Sequence, residues 1–211
     1  MLQAREGGKL HAPFAGGACD GCHTPHAAGK AGLVKPEVGA VCLQCHIGIQ
    51  KIWVRARSKH QPFARGKCTA CHDPHGSKEP KLLARGPEAL CLGCHGALKA
   101  RLAKPGATVH APVDGGGCLG CHRGHASDQP KLLVDAVPQL CAGCHELGSP
   151  DLAAAHGGWS VERARCTACH DPHVSDGGKL LLDGGHPPLD GGDCDSCHEA
   201  PPRAPLPAPE R

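Results

Sequence analysis

The 211 residues predict a mostly irregular chain with short α-helices, little or no β-sheet, and an interior that side chains do not fill. Three observations carry this. Aromatic residues are 2% of the chain, with two Phe, two Trp and no Tyr, too few large apolar groups for an ordinary core of this length. Gly contributes 30 residues and Pro 20, near the level where disorder would be suspected. Against that, the pattern Cys-x-x-Cys-His occurs eight times and uses all 16 Cys.

The copies are Cys19-x-x-Cys22-His23, Cys42-x-x-Cys45-His46, Cys68-x-x-Cys71-His72, Cys91-x-x-Cys94-His95, Cys118-x-x-Cys121-His122, Cys141-x-x-Cys144-His145, Cys166-x-x-Cys169-His170 and Cys194-x-x-Cys197-His198. This is the attachment pattern for c-type haem, in which two thiols add to the vinyl groups and the next His ligates iron from the proximal side. A redox dithiol or a zinc site would explain the Cys pairs, but neither explains a His after every second Cys. With 17 His in 211 residues, chance agreement at eight positions is on the order of 10⁻⁹. No Cys remains for a disulfide framework. Eight covalent haems at about 26 residues each would supply the buried apolar surface that the side chains lack. Each thioether pair would also restrain the unfolded chain as a disulfide does. Without haem the chain is expected to be unfolded.

The formal charge of +3 changes meaning with haem attached. Two propionates per haem add sixteen negative charges and bring the total to −13 if all are ionised. The 23 Lys and Arg then read as propionate partners, and without stacking aromatics a nucleic-acid surface is not expected. No run of about 18 apolar residues predicts a membrane span. Met1 to Glu6 shows no apolar signal-peptide core. Since haem joins this motif outside the cytoplasm, the chain reads as a mature form whose export signal is not in this sequence.

Residues 1–10 are a polar lead-in, followed by a repeat of about 46 to 50 residues holding two haems. Repeat 1 spans 11–59, repeat 2 spans 60–109 and repeat 3 spans 110–155. A truncated repeat 4 spans 156–185 with one motif, a terminal half-repeat spans 186–200, and 201–211 is a Pro- and Ala-rich tail. The whole is expected to be one continuous haem-bearing domain. Within a repeat, the first motif is flanked by a leading His and by a trailing His three residues after its proximal His, and the second motif is bare. Short helices are predicted at 36–45, 50–58, 87–94 and 138–144, with Pro87 and Pro138 suited to a first turn. The remainder is predicted as loop.

Eight His are proximal. The other nine, His11, His26, His60, His75, His110, His125, His156, His173 and His186, all occupy flanking positions. A surface His is common, but this placement marks them as distal ligand candidates, one of them surplus. A trailing His cannot reach the opposite face of its own haem from three residues away, so it is expected to ligate a neighbouring one. The first three repeats match six haems to six free His. The last part has two haems and three, so the surplus is expected among His156, His173 and His186, either unligated or reaching another chain. Phe14, Phe63, Val113, Trp159 and Leu189, three residues after each leading His, are read as packing on haem. Trp53 receives no role. Asp73 and Asp171 either orient an imidazole or form turns. Lys81, Lys131 and Lys179 either pair with propionates or are solvated.

The pattern His-x-Pro … Cys-x-x-Cys-His-x-Pro-His … Leu-Leu … Leu-Cys-x-x-Cys-His resembles the doubled CxxCH family of multihaem c-type cytochromes over about residues 11–200. The resemblance implies the multihaem cytochrome fold and low-potential electron transfer, as in periplasmic carriers, outer-membrane conduits or extracellular filament subunits. Two departures are a missing bare motif after Lys179 and Pro201 in place of a trailing His. The single Met, at position 1, argues against His/Met ligation and its raised potential. Electron transfer without catalysis is expected, with other redox proteins or further copies of the chain as partners. The alternative is a multihaem reductase with one open-site haem, for which the chain shows no variant motif. A soluble carrier and a filament subunit are equally compatible with the sequence.

Overall fold

The protein was analysed as a computed structural model, which describes residues 8–29 and 31–182. The terminal half-repeat, with His186, Leu189, Cys194, Cys197 and His198, and the tail lie outside them. The chain divides into two compact units, Met1–Cys94 with His122–Leu133, and His95–Cys121 with Val134–Arg211.

The elements are short, and Pro and Gly set their lengths. Four-residue helices follow the leading His at Ala12–Ala15, Gln61–Ala64 and Ala111–Asp114, each with Pro in its first turn, where a missing N–H costs nothing. Helices lead into the bare motifs at Val38–Leu43, Pro87–Leu92 and Gln139–Ala142, all inside the predicted spans. Longer helices follow the bare proximal His at Ile47–Arg55 and Gly96–Leu102. The first of these begins three residues before the predicted segment, and the second is additional. A further unpredicted helix, Pro150–Ala155, is capped by the Ser149 hydroxyl accepting the Leu152 N–H at 3.2 Å.

Among the described residues the sheet content is three antiparallel pairs of two-residue strands. In the first unit β1 (Lys9–Leu10) pairs with β3 (Gly76–Ser77), and β2 (Ser58–Lys59) with β5 (Ala126–Ser127). In the second, β4 (Thr108–Val109) pairs with β6 (Val174–Ser175). Each joins the residues before one leading His to those after the trailing His of the next repeat. The backbone N–H of His11 donates to the His75 carbonyl (3.1 Å), His60 to His125 (2.9 Å) and His110 to His173 (3.0 Å).

Each flanked motif is closed by a turn about nine residues on. In repeats 2 to 4 two consecutive residues take left-handed backbone there: Lys81 and Leu82, Lys131 and Leu132, Lys179 and Leu180. In repeat 1 Gly32 (φ 73) stands in the Lys position, which is the residue type that conformation favours. The turn carries the chain back antiparallel to the motif, bridging His23 with Val34, His72 with Leu83, His122 with Leu133 and His170 with Leu181.

Few side chains are buried. Among the described residues they are Phe63, Ala126, Trp159, Val161, Val174, Ser77 and Ser175. In the first unit Phe63 packs on Trp53 (4.9 Å between ring centroids) and on His125 (5.1 Å). That gives Trp53, to which the sequence assigned nothing, a structural place. The Trp53 ring also lies near Gly66, whose backbone meets Gly39 so closely that a Cβ on Gly39 would stand 2.8 Å from the Gly66 Cα.

Candidate metal centres

A Cys-x-x-Cys-His segment wound as one helical turn places positions one, four and five on one side. That winding is present. The N–H of His23 donates to the Cys19 carbonyl at 2.9 Å, and the same bond recurs for His72 (3.0 Å), His170 (2.9 Å), His46 (3.1 Å) and His145 (2.9 Å). The fourteen described Cys form no disulfide.

Thiols of successive motifs lie near one another within each unit. Burial pushes the Cys42 thiol up to about 11, helped by Cys68, with which it hydrogen-bonds, and by Cys22. Burial likewise raises Cys71, with Cys94 and Cys68 adding to it. In the second unit burial pushes Cys141 up to about 11, assisted by Cys166 and then Cys121. A reactive Cys-x-x-Cys dithiol requires the opposite, a thiol lowered toward neutrality. For Cys42, Cys71 and Cys141 the shift runs against that requirement. The same proximities put motifs 1, 2, 3 and 4 in series, and motifs 5, 6 and 7 in series.

The imidazoles meet in pairs. Ring centroids are 6.0 Å apart for His11–His46, 6.0 Å for His23–His75, 5.8 Å for His72–His125, 6.2 Å for His110–His145 and 6.1 Å for His156–His170. Interplanar angles range from 9° for His23–His75 to 66° for His156–His170. A shared distance with no shared angle is not stacking. A ring nitrogen lies about 1.1 Å from the centroid and a first-row metal–imidazole bond is about 2.0 Å, so two rings on opposite sides of one metal have centroids about 6.2 Å apart. Rotation about that axis is free, which accounts for the spread of angles.

Backbone carbonyls fix the tautomers. His11 Nδ1 donates to the Pro74 carbonyl (2.9 Å), His23 to Gly32 (2.7 Å), His72 to Lys81 (3.0 Å) and His110 to Pro172 (2.9 Å). His122 donates to Lys131 (3.0 Å), His156 to Leu152 (2.8 Å) and His170 to Lys179 (2.9 Å). A carbonyl only accepts, so each Nδ1 carries the proton and each Nε2 lone pair is left for a metal. The Lys81, Lys131 and Lys179 main chains thus orient proximal His. Sequence reasoning looked only at the Lys side chains, although the Lys-Leu-Leu recurrence was the available signal.

The Asp residues act chiefly on the backbone. Asp73 Oδ1 accepts the His75 N–H at 3.0 Å and stands 3.9 Å from the His75 ring nitrogen, too far to orient it. Asp171 Oδ1 accepts the His173 N–H at 2.9 Å and lies 3.4 Å from its Nδ1, while Oδ2 pairs with Arg101 at 2.8 Å. Burial opposes the Asp171 charge, but the His173 N–H, the Arg101 guanidinium and the Val174 N–H outweigh it and hold the carboxyl below its ordinary value. Burial, with help from His72 and His60, lowers His125 and favours its neutral, ligand-competent form. Among the ring partners of the first unit, Phe14 lies 5.0 Å from His75 at 62° and so packs on a trailing imidazole.

No three or more His, Cys, Asp and Glu converge on one point among the described residues. A structural zinc site needs four such donors and a catalytic one three. Two axial imidazoles with the equatorial positions left to a macrocycle are what an iron porphyrin requires. The doubled CXXCH motif matches residues 11–51, 60–100 and 110–148, more than half of the chain.

The chain belongs to the doubled CXXCH family.

It is a multihaem c-type cytochrome, binding several haems covalently and serving electron transfer. The curated proteins show no match to it. In this cytochrome the donors come in pairs along the repeat. His75 faces His23 and His125 faces His72, not their own proximal neighbours. The surplus expectation changes for the described residues. His156 is paired with His170, whereas His26 is exposed and has no ring or hydrogen-bond partner among them. No described helix is long and apolar enough to cross a membrane.

Proposed function

We propose that this cytochrome carries eight haems, each on one Cys-x-x-Cys-His, and relays electrons along them in sequence order at low potential. The observation that carries the reading is the set of imidazole pairs at 5.8 to 6.2 Å, at least one ring of each with Nδ1 committed to a backbone carbonyl. The Cys residues would hold haem covalently and the paired His would ligate iron on both faces. The haem would supply reversible one-electron chemistry. With both axial positions held by protein, an iron changes charge without taking up substrate. His ligands at both positions, with no Met near any described pair, favour potentials well below zero.

The polypeptide's part is to hold ligands rigid. The left-handed turns aim Nε2 of the proximal His, and the strand pairs aim the trailing imidazoles. Thiol proximity within each unit supports haem spacing short enough for transfer. Cytochromes of this kind are typically exported, which supports a periplasmic or extracellular location. The partners would be other redox proteins or copies of the chain itself, as a carrier or as a filament subunit. A reductase would need an iron with one open position and a walled pocket, and the paired imidazoles favour transfer. Spectroelectrochemical titration tests this: all midpoints should lie below zero, and several positive midpoints would overturn it.

A further inference from the structure

The residue after the proximal His of a flanked motif is held by the same backbone bond in every described repeat. Its N–H donates to the carbonyl nine residues on: Thr24 to Leu33 (2.8 Å), Asp73 to Leu82 (2.8 Å), Arg123 to Leu132 (2.7 Å) and Asp171 to Leu180 (2.8 Å). A trailing His stands two residues further along each time. The main chain is therefore fixed at this position, and what changes from repeat to repeat is the charge of the side chain.

Asp73 and Arg123 belong to one unit. Asp73 Oδ1 lies 3.9 Å from His75 Nδ1, with both groups half-buried. No Lys or Arg stands within ion-pair distance of Asp73 among the described residues, so nothing there offsets its charge. The His125 ring has no carboxylate at that distance among them, and the equivalent position carries Arg123. In other respects the two rings match. Each faces a proximal His of the preceding repeat, His75 with His23 at 6.0 Å and His125 with His72 at 5.8 Å. Each packs on a Phe, at 5.0 Å for Phe14 and 5.1 Å for Phe63. His72, next to Asp73 in the chain, has its Nδ1 committed to the Lys81 carbonyl at 3.0 Å, so the imidazole that the carboxylate faces is His75. In the second unit Asp171 lies 3.4 Å from His173 Nδ1, but Arg101 offsets its charge at 2.8 Å. One position thus carries an uncompensated anion, a cation and a paired anion.

We infer that this residue sets how readily the haem served by the trailing His takes an electron, so that the haem on Cys68 and Cys71 has a higher potential than the haem on Cys19 and Cys22. Asp73 and Arg123 are positioning residues in this, acting through His75 and His125. A ferric centre carries one more positive charge than a ferrous one, and hydrogen bonding and charge around its axial imidazoles tune the balance. A carboxylate beside the ring favours the ferric form, more strongly in a half-buried site than in water, and a cation opposes it. The exchange moves one electron from one iron to the other, with no proton transferred and no bond made or broken. Electrons in the first unit therefore collect at the third motif in preference to the first, which gives the relay a direction. The inference rests on the proposed relay of paired imidazoles.

The test is redox titration of the purified holoprotein, with haem content read from intact mass and spin state from EPR. Asp73→Asn keeps a side-chain oxygen to accept the His75 N–H, which Asp73 binds at 3.0 Å, and removes the charge. One midpoint should rise by about 59 mV, a tenfold change in one-electron reduction. Arg123→Asp should lower a different midpoint by a similar amount. In a Cys19→Ala, Cys22→Ala background the Asp73→Asn rise should vanish while the Arg123→Asp fall persists. Unchanged midpoints in both single variants would overturn the inference, and so would an Asp73→Asn rise that survives in that background. A wild type without haem, or with its irons high-spin, would overturn the relay itself and the inference with it.

Discussion

Replacing His75 with Ala separates ligation across repeats from ligation within a motif. The backbone work of residue 75 survives truncation, because its carbonyl still accepts the His11 N–H at 3.1 Å and its N–H still donates to Asp73 at 3.0 Å. What disappears is a ring facing His23 at 6.0 Å and touching Phe14 at 5.0 Å. The aromatic contact is worth about 0.5–1.5 kcal/mol, which for a chain of this size lowers Tm by roughly 2–5 °C. The spectroscopic effect is far larger. One haem should turn high-spin and bind carbon monoxide. That haem should be the one on Cys19 and Cys22. In a Cys19→Ala, Cys22→Ala background, which lacks it, His75→Ala should add no new high-spin signal. A signal that persists in that background, or no signal from His75→Ala alone, would refute ligation by the following repeat.

Phe63→Ala should cost about 3–5 kcal/mol, since the ring is 7% exposed and packs on Trp53 and His125; denaturant titration of the holoprotein measures it. Gly39→Ala should destabilise through the 2.8 Å approach of its Cβ to the Gly66 backbone, by about 1–3 kcal/mol in the same assay. Lys81→Gly should be neutral or stabilising by up to about 1 kcal/mol with an unchanged spectrum, because the left-handed main chain and its carbonyl do the work and Gly32 already serves at the equivalent site. Asp171 has a folded pKa below its ordinary value, so its contribution is present above the unfolded carboxylate value of about 3.9 and is lost as pH falls through the folded value. Arg101→Ala should therefore be less stable than wild type at neutral pH, and the two should converge in acid unfolding.

The Cys-x-x-Cys-His segments were legible because they are local. Cys-x-x-Cys-His is five adjacent residues, and one helical turn is enough to gather them. Pro87–Leu92 was legible for the same reason, with Pro in its first turn leading to Leu-Cys. The strands were not. A two-residue strand has no periodicity to read, and Lys9 finds Ser77 only because the next repeat folds back on it. Gly96–Leu102 and Pro150–Ala155 are shorter than the window in which helical periodicity can be read. The left-handed Lys-Leu turns run against residue preference, so composition gave no warning of them. Trp53 was opaque because a lone Trp outside the repeat carries no spacing signal, and its contact with Phe63 is visible only in the fold. The pairing of His75 with His23 and of His125 with His72 was not legible, because counting within repeats hides a partner offset by one whole repeat.

Near-infrared magnetic circular dichroism of the oxidised holoprotein, read with its spin count, addresses the paired imidazoles most directly. All of the irons but at most one should be low-spin with two imidazole ligands, and no methionine signature should appear. Two or more irons high-spin, or any carrying a sulfur ligand on the axis, would contradict the paired-imidazole relay.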